Sequence, residues 1–237
     1  MEDFTDKVVV VTGGTGNLGS SVVRAFQASG ARLVVPDRNY GRAGEMFPEL
    51  AGSMDHLLMD GIDVTDPEPM QRCVQSAADQ FGRIDILVNT VGGYRQGAPV
   101  HETQVETWDF LLNLNARSVF VSSRAVIPVM LRSGGGRIVN IGSFAALAGR
   151  SGEGVYSAAK SAVLRLTESM AADYASQNIQ VNAVLPAALV SDADLRADPT
   201  RGVTPEAVAQ VVLFLCSEAG RIISGASIPA FGRRFSS

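Results

Sequence analysis

Apolar positions along the chain come in two alternating kinds. Unbroken β-branched runs, such as KVVVVT at 7–12, predict strands covered on both faces. Stretches with apolar residues three and four apart, such as Leu18 to Ser29 with Val22, Val23 and Phe26 on one side, predict helices packed on one face. Further strands are predicted at 32–36, 56–63 (the weakest), 84–89, 137–141, 179–184 and 222–228. Helices are predicted over 67–81, 105–131 with a kink at Pro128, and 155–174. Another starts at Thr204, with Pro205 in the first helical position. Strand–helix alternation of this kind predicts an α/β fold: one doubly wound parallel sheet of about seven strands, helices on both faces, right-handed crossovers. No repeat or linker divides the 237 residues, so a single domain is expected. The one sizeable polar, irregular stretch, 187–204, is expected to be a substrate loop.

Composition narrows the partners. The net charge is -4 and there is no basic block, which argues against nucleic acid or an anionic membrane as partner. No apolar run approaches a membrane span and the acidic start carries no signal-peptide pattern, so the cytoplasm is the expected location. Cys73 and Cys216 lie in apolar helical patterns and read as reduced, buried thiols. His56 and His101 have no ligand spacing with them, and no metal site is expected.

The first strand runs into Gly13 and then Gly14-Thr15-Gly16-Asn17-Leu18-Gly19, a G-x-G-x-x-G turn that opens a helix. Such a turn brings backbone close to a pyrophosphate, at a helix end whose free N–H groups and positive dipole favour anions. This makes the fold Rossmann-type. Asp37 ends the second strand, where a carboxylate can accept hydrogen bonds from ribose hydroxyls and repel a 2′-phosphate, favouring NAD(H) over NADP(H). Arg38, and Arg42 beyond it, suit a phosphate and keep NADP(H) open.

Tyr156 and Lys160 are four apart on a predicted helix and share a face. Bringing a phenol from its ordinary pKa of about 10 to about 7 requires roughly 4 kcal/mol of phenolate stabilisation. A neighbouring ammonium is expected to supply it. Ser143 follows the strand RIVNI at its carboxyl end, where open parallel sheets bind ligands and where a hydroxyl can hold a substrate oxygen. Asn115 is a polar residue inside an apolar helix, suited to bonding an irregular backbone or ordering a water.

Taken together, these segments resemble the short-chain dehydrogenase/reductase family. The resemblance runs from Lys7 to about Gly232 through TGGTGNLG at 12–19, Asp37, DV at 63–64, NTVGG at 89–93, Asn115, GS at 142–143, YSAAK at 156–160, NAVLP at 182–186 and SG at 224–225. It implies a catalytic tetrad of Asn115, Ser143, Tyr156 and Lys160. In it Tyr156 handles the proton, Ser143 positions the carbonyl, Lys160 holds the nicotinamide ribose and tunes Tyr156, and Asn115 anchors a relay water. It also implies cofactor contacts from Gly13, Thr15, Gly16, Asn17 and Leu18; from Asp37, Arg38, Asp63 and Val64 toward adenosine; from Asn89, Val91 and Gly92 beside the ribose; and from Pro186 to Leu189 toward the nicotinamide. Asn17 stands where short members carry a glycine, Ala187 replaces a usual glycine, and Ala230-Phe231-Gly232 departs from a usual Asp-Gly-Gly.

The expected activity is hydride transfer between NAD(P)(H) and a carbonyl or alcohol, with Tyr156 as general acid/base. The competing expectation is a catalytically silent nucleotide-sensing protein of the same fold. Tyr94, Gln96, Phe144, Leu147 and Leu189 are candidate substrate contacts. The resemblance further implies a homo-oligomer, dimer or tetramer, built on helices 105–131 and 155–174.

Overall fold

A computed structural model describes residues 2–95 and 97–232. Among the described residues, seven parallel strands form one sheet in the order β3-β2-β1-β4-β5-β6-β7. The first half of the chain supplies β1 (Val8–Thr12), α1 (Asn17–Ala28), β2 (Arg32–Pro36), the short α2 (Arg42–Met46), β3 (Leu57–Met59), α3 (Pro67–Phe81) and β4 (Ile86–Asn89). The second half supplies α4 (Val105–Leu112), α5 (Ser118–Arg132), β5 (Gly136–Ile141), α6 (Gly154–Asp173), β6 (Ile179–Pro186), α7 (Asp192–Ala197), α8 (Pro205–Cys216) and β7 (Ser227–Ala230). The strand order reverses between β1 and β4, and the crevice above a reversal is where such sheets take ligands.

The β-branched runs are explained by burial on both faces. Val9 and Val11 pack with Val22, Val23 and Phe26 of α1 and Val208 and Val212 of α8. Val8 and Val10 pack on the other side with Met70, Cys73 and Val74 of α3, Val126 and Met130 of α5, and Val163 of α6. Both cysteines are buried and free, as their apolar settings predict, and burial pushes the Cys73 thiol up to about 12.

Two expectations about local structure change. The long helix is interrupted not at Pro128, which sits inside α5 on its exposed side, but at Asn113–Arg117, one wider π turn between α4 and α5. The stretch 187–204 is not wholly irregular. Ser191 caps α7, its hydroxyl accepting from Asp194 N–H while the Asp194 carboxylate accepts in return from Ser191 N–H. A polar ladder crosses the core: the Thr12 hydroxyl donates to Asn89 Oδ1 at 3.3 Å, Asn89 Nδ2 to Asn140 Oδ1 at 2.9 Å, and Asn140 Nδ2 to Thr167 Oγ1 at 2.9 Å. It ties β1, β4 and β5 to α6 and so fixes the helix that carries Tyr156 and Lys160.

Candidate active site

A cleft of about 510 Å³ opens at the carboxyl ends of the central strands. One wall is the glycine-rich turn, Gly13 and Gly16 to Gly19; the other holds Ser143, Tyr156 and Lys160; Pro186 to Leu189 form a third side. No side chain caps the first turn of α1, so its backbone N–H groups face the cleft end of the helix. A Cβ on Gly19 would collide with the Gly13 carbonyl, so helix and turn meet this closely only with glycine there. Asn17 opens α1 in helical conformation and needs no left-handed backbone, so the missing glycine costs the turn nothing. A helix end with unclaimed donors, beside a groove that glycines keep open, fits a dinucleotide pyrophosphate.

The chemistry-bearing side chains converge. The Tyr156 phenol and the Ser143 hydroxyl share the cleft wall, close enough for the hydroxyl to favour the ionised phenol, and Ser143 Oγ also accepts from Ala145 N–H at 3.2 Å. Lys160 is buried and its Nζ donates to the Ile141 carbonyl at 2.9 Å. Burial lowers the ammonium pKa to about 8. Asn115 is fully buried at the π turn: its Nδ2 donates to Gly93 O and Leu111 O, both at 3.0 Å, and its Oδ1 accepts from Gly93 N–H at 3.1 Å. The wider turn is the price of that reach, and single π turns recur at functional sites for this reason. A Cβ on Gly92 would lie 2.8 Å from Asn115 Oδ1 and 3.0 Å from Lys160 Nζ, so only glycine lets this loop pass.

Three expectations about individual residues need correction or narrowing. The phenol is not made acidic by the lysine: burial holds Tyr156 above its ordinary value, the nearby Ser143 hydroxyl opposes this, and Glu153 and Tyr94 add to the rise. The Asn115 amide is engaged by protein partners on both N–H groups and braces Gly93, which leaves only its carbonyl oxygens to hold a water. Asn89 does not line the cleft, because its side chain is consumed by the polar ladder. Val91 packs against the core, while Gly92 lines the cleft.

The adenosine-side candidates lie beyond the cleft, at the β2 and β3 ends. Asp37 is buried; Thr15 Oγ1 donates to its Oδ2, and Asn39 N–H donates to its Oδ1 at 2.7 Å. Arg38 is exposed, and Arg42 Nη2 donates to the Thr15 carbonyl at 3.2 Å. Asp63 accepts from Thr65 N–H at 2.8 Å and Thr65 Oγ1 at 2.7 Å, and Val64 is buried.

Of the substrate candidates, Tyr94, Phe144 and Leu189 line the cleft, Leu147 does not, and Gln96 lies outside the described residues. Sequence reasoning missed Arg150 and Glu153, which also line it. Glu153 had a legible signal: it precedes Tyr156 by three residues, a spacing that brings side chains together on a helix. Arg150 had none; its guanidinium lies over the Phe144 ring, 4.2 Å from the centroid.

The fold and cleft define a dinucleotide-binding α/β protein with a Ser–Tyr–Lys constellation. Residues 7–201 match the model of the short chain dehydrogenase family. The chain is 33% identical over 243 residues to 2-(R)-hydroxypropyl-CoM dehydrogenase of Xanthobacter autotrophicus, covering 94% of this chain and 96% of that one. It is 32% identical over 243 residues to meso-2,3-butanediol dehydrogenase of Serratia marcescens, covering 97% and 94%. A solved short-chain type dehydrogenase/reductase from Mycobacterium ulcerans superposes with a TM-score of 0.87 at 26% identity, over 96% of this chain and 89% of that one. The chain belongs to the short-chain dehydrogenase/reductase family, and it is an NAD(P)-dependent oxidoreductase.

Proposed function

We propose that the protein interconverts a secondary alcohol and its ketone, with NAD(H) as the preferred cofactor. The observation that carries this reading is the convergence of Ser143, Tyr156 and Lys160 on the cleft wall opposite the glycine-rich turn. The residues present fit a dinucleotide: the uncapped α1 terminus would hold the pyrophosphate, and Lys160, beneath Gly92, would meet the nicotinamide ribose. When bound, the dinucleotide supplies the hydride acceptor or donor and, oxidised, a positive charge near the phenol.

Ser143 and Tyr156 hold the substrate oxygen between them. In reduction the phenol, protonated at neutral pH as an ordinary phenol is and held more firmly so by burial, gives its proton to the oxygen as the carbinol C–H bond forms. In oxidation the same group, ionised, takes the hydroxyl proton as the carbinol hydrogen leaves with its electron pair. Oxidation therefore speeds up as pH rises toward the phenol's value. Asn115 acts on the loop that borders Lys160 and is a positioning residue.

Asp37 supports the NAD(H) preference, since a carboxylate at the end of β2 has acceptor lone pairs beyond the two its neighbours use. Arg42, reaching the Thr15 carbonyl, favours the NADP(H) reading, and comparing affinities for the two cofactors separates them. Exposed Trp108, Phe110 and Phe120 on α4 and α5 support a homo-oligomer closed over these helices. Turnover of a ketone and alcohol panel, followed at the nicotinamide absorbance band, tests the activity. Tyr156→Phe is expected to lose about a hundredfold or more in kcat, and full retention would end the role given to Tyr156.

A further inference from the structure

The reaction as described gives no task to the Tyr94–Glu153 pair. Tyr94 lies on the loop after β4, and Glu153 immediately precedes α6. The two segments are pinned where Gly97 N–H donates to the Gly152 carbonyl at 3.0 Å. A Cβ on Gly97 would lie 2.8 Å from that oxygen, and one on Gly152 would lie 3.1 Å from the Gly97 oxygen, so the approach is made by two glycines. The pinning sets the Tyr94 ring edge-on to Tyr156, centroids 5.1 Å apart. It also lets the Tyr94 hydroxyl donate to Glu153 Oε1 at 3.4 Å. Both side chains line the cleft that holds Ser143 and Tyr156.

A carboxylate has about four acceptor sites, and among the described residues one long hydrogen bond is its side-chain partner. Glu153 makes no ion pair among the described residues, although Arg150 is nearby in sequence; that guanidinium lies over the Phe144 ring instead. Glu153 thus keeps spare acceptor capacity close enough to Tyr156 for its charge to oppose ionisation of the phenol.

We propose that Glu153, braced by Tyr94, is a specificity-determining acceptor that selects substrates with a second hydroxyl next to the reacting carbinol, namely vicinal diols and polyols. This rests on the alcohol–ketone reading above. The second hydroxyl donates to the carboxylate while Ser143 and Tyr156 hold the first. An apolar neighbour in that place strips water from the carboxylate and returns nothing. An anionic neighbour meets a like charge.

The test compares kcat/KM for butane-2,3-diol and butan-2-ol in the wild type, Glu153→Gln and Glu153→Ala, each over a range of pH. A hydrogen bond to a charged acceptor predicts that the wild type prefers the diol by about tenfold or more. Glu153→Ala is expected to bring the ratio close to one, and Glu153→Gln to retain part of it. Among the described residues, Ser143, Tyr94 and Glu153 act on the Tyr156 phenol, and the cations Lys160 and Arg150 line the same cleft. Removing the one carboxylate among them moves the rise of oxidation rate to lower pH in both variants. A Glu153 that merely shapes the loop would slow both alcohols together and leave the pH rise in place, which overturns the proposal. So does a wild type that turns over both alcohols equally well. If no alcohol in a broad panel reduces the cofactor, the underlying alcohol–ketone reading falls, and this one with it.

Discussion

Replacing Lys160 by methionine is expected to abolish turnover while leaving the fold as stable or more stable at neutral pH. The chain has two lysines, Lys7 and Lys160, and the second is buried. Burial takes its ammonium from an ordinary 10.5 to about 8, which corresponds to roughly 3 kcal/mol charged against the folded state at pH 7. Methionine removes that cost but leaves the Ile141 carbonyl without its donor, a loss of about 1–3 kcal/mol. The net gain at neutral pH is therefore about 0–2 kcal/mol. Between about 8 and 10.5 the unfolded wild type binds more protons than the folded one, so wild-type stability rises with pH across that window. The variant has no such term. Urea unfolding of both proteins at fixed concentration, repeated from neutral to alkaline pH, should show the stability difference shifting toward the wild type by roughly 3 kcal/mol. Selective lysine labelling gives two NMR signals to follow, and one should titrate near 8. A difference curve flat with pH, or a Lys160 signal that keeps the ordinary lysine value, would refute the reasoning.

Two further changes probe the cleft. Asp37→Ala removes the carboxylate at the end of β2 and should relax an NAD(H) preference by about tenfold, read as the ratio of dissociation constants for the two cofactors; an unchanged ratio would show that Asp37 only braces Thr15. Gly92→Ala sets a methyl against Asn115 Oδ1 and Lys160 Nζ, which are held by Gly93 N–H and by the Ile141 carbonyl. It should cost about 1–3 kcal/mol of stability and lower kcat, and wild-type values in both thermal unfolding and turnover would show that the loop can give way.

Much of this architecture is legible in the sequence because buried parallel strands leave a strong signature. Runs such as Val8–Val11 have no polar residue to obscure the strand, and the G-x-G-x-x-G turn follows directly. What escapes is whatever depends on contacts between distant segments. The π turn exists because Asn115 reaches Gly93, and nothing in the local helical pattern announces that reach. Asn89 reads as a cleft residue until the strand register sets it beside Asn140, where its amide is used up. Helix α7 was legible in principle from the Ser191–Asp194 capping pair, but six residues give too few turns for apolar periodicity. The Tyr–Lys spacing places the two groups correctly yet misjudges their electrostatics, because spacing carries no information about burial.

The central claim is that hydrogen passes directly from a carbinol carbon to the nicotinamide while Tyr156 takes the hydroxyl proton. An alcohol that the wild type turns over, deuterated at its carbinol carbon, tests it through mass analysis of the reduced cofactor. The account predicts one deuteron per cofactor in the wild type and loss of that transfer in Tyr156→Phe. Reduced cofactor free of the label, or labelled cofactor formed at undiminished rate by the phenylalanine variant, would contradict it.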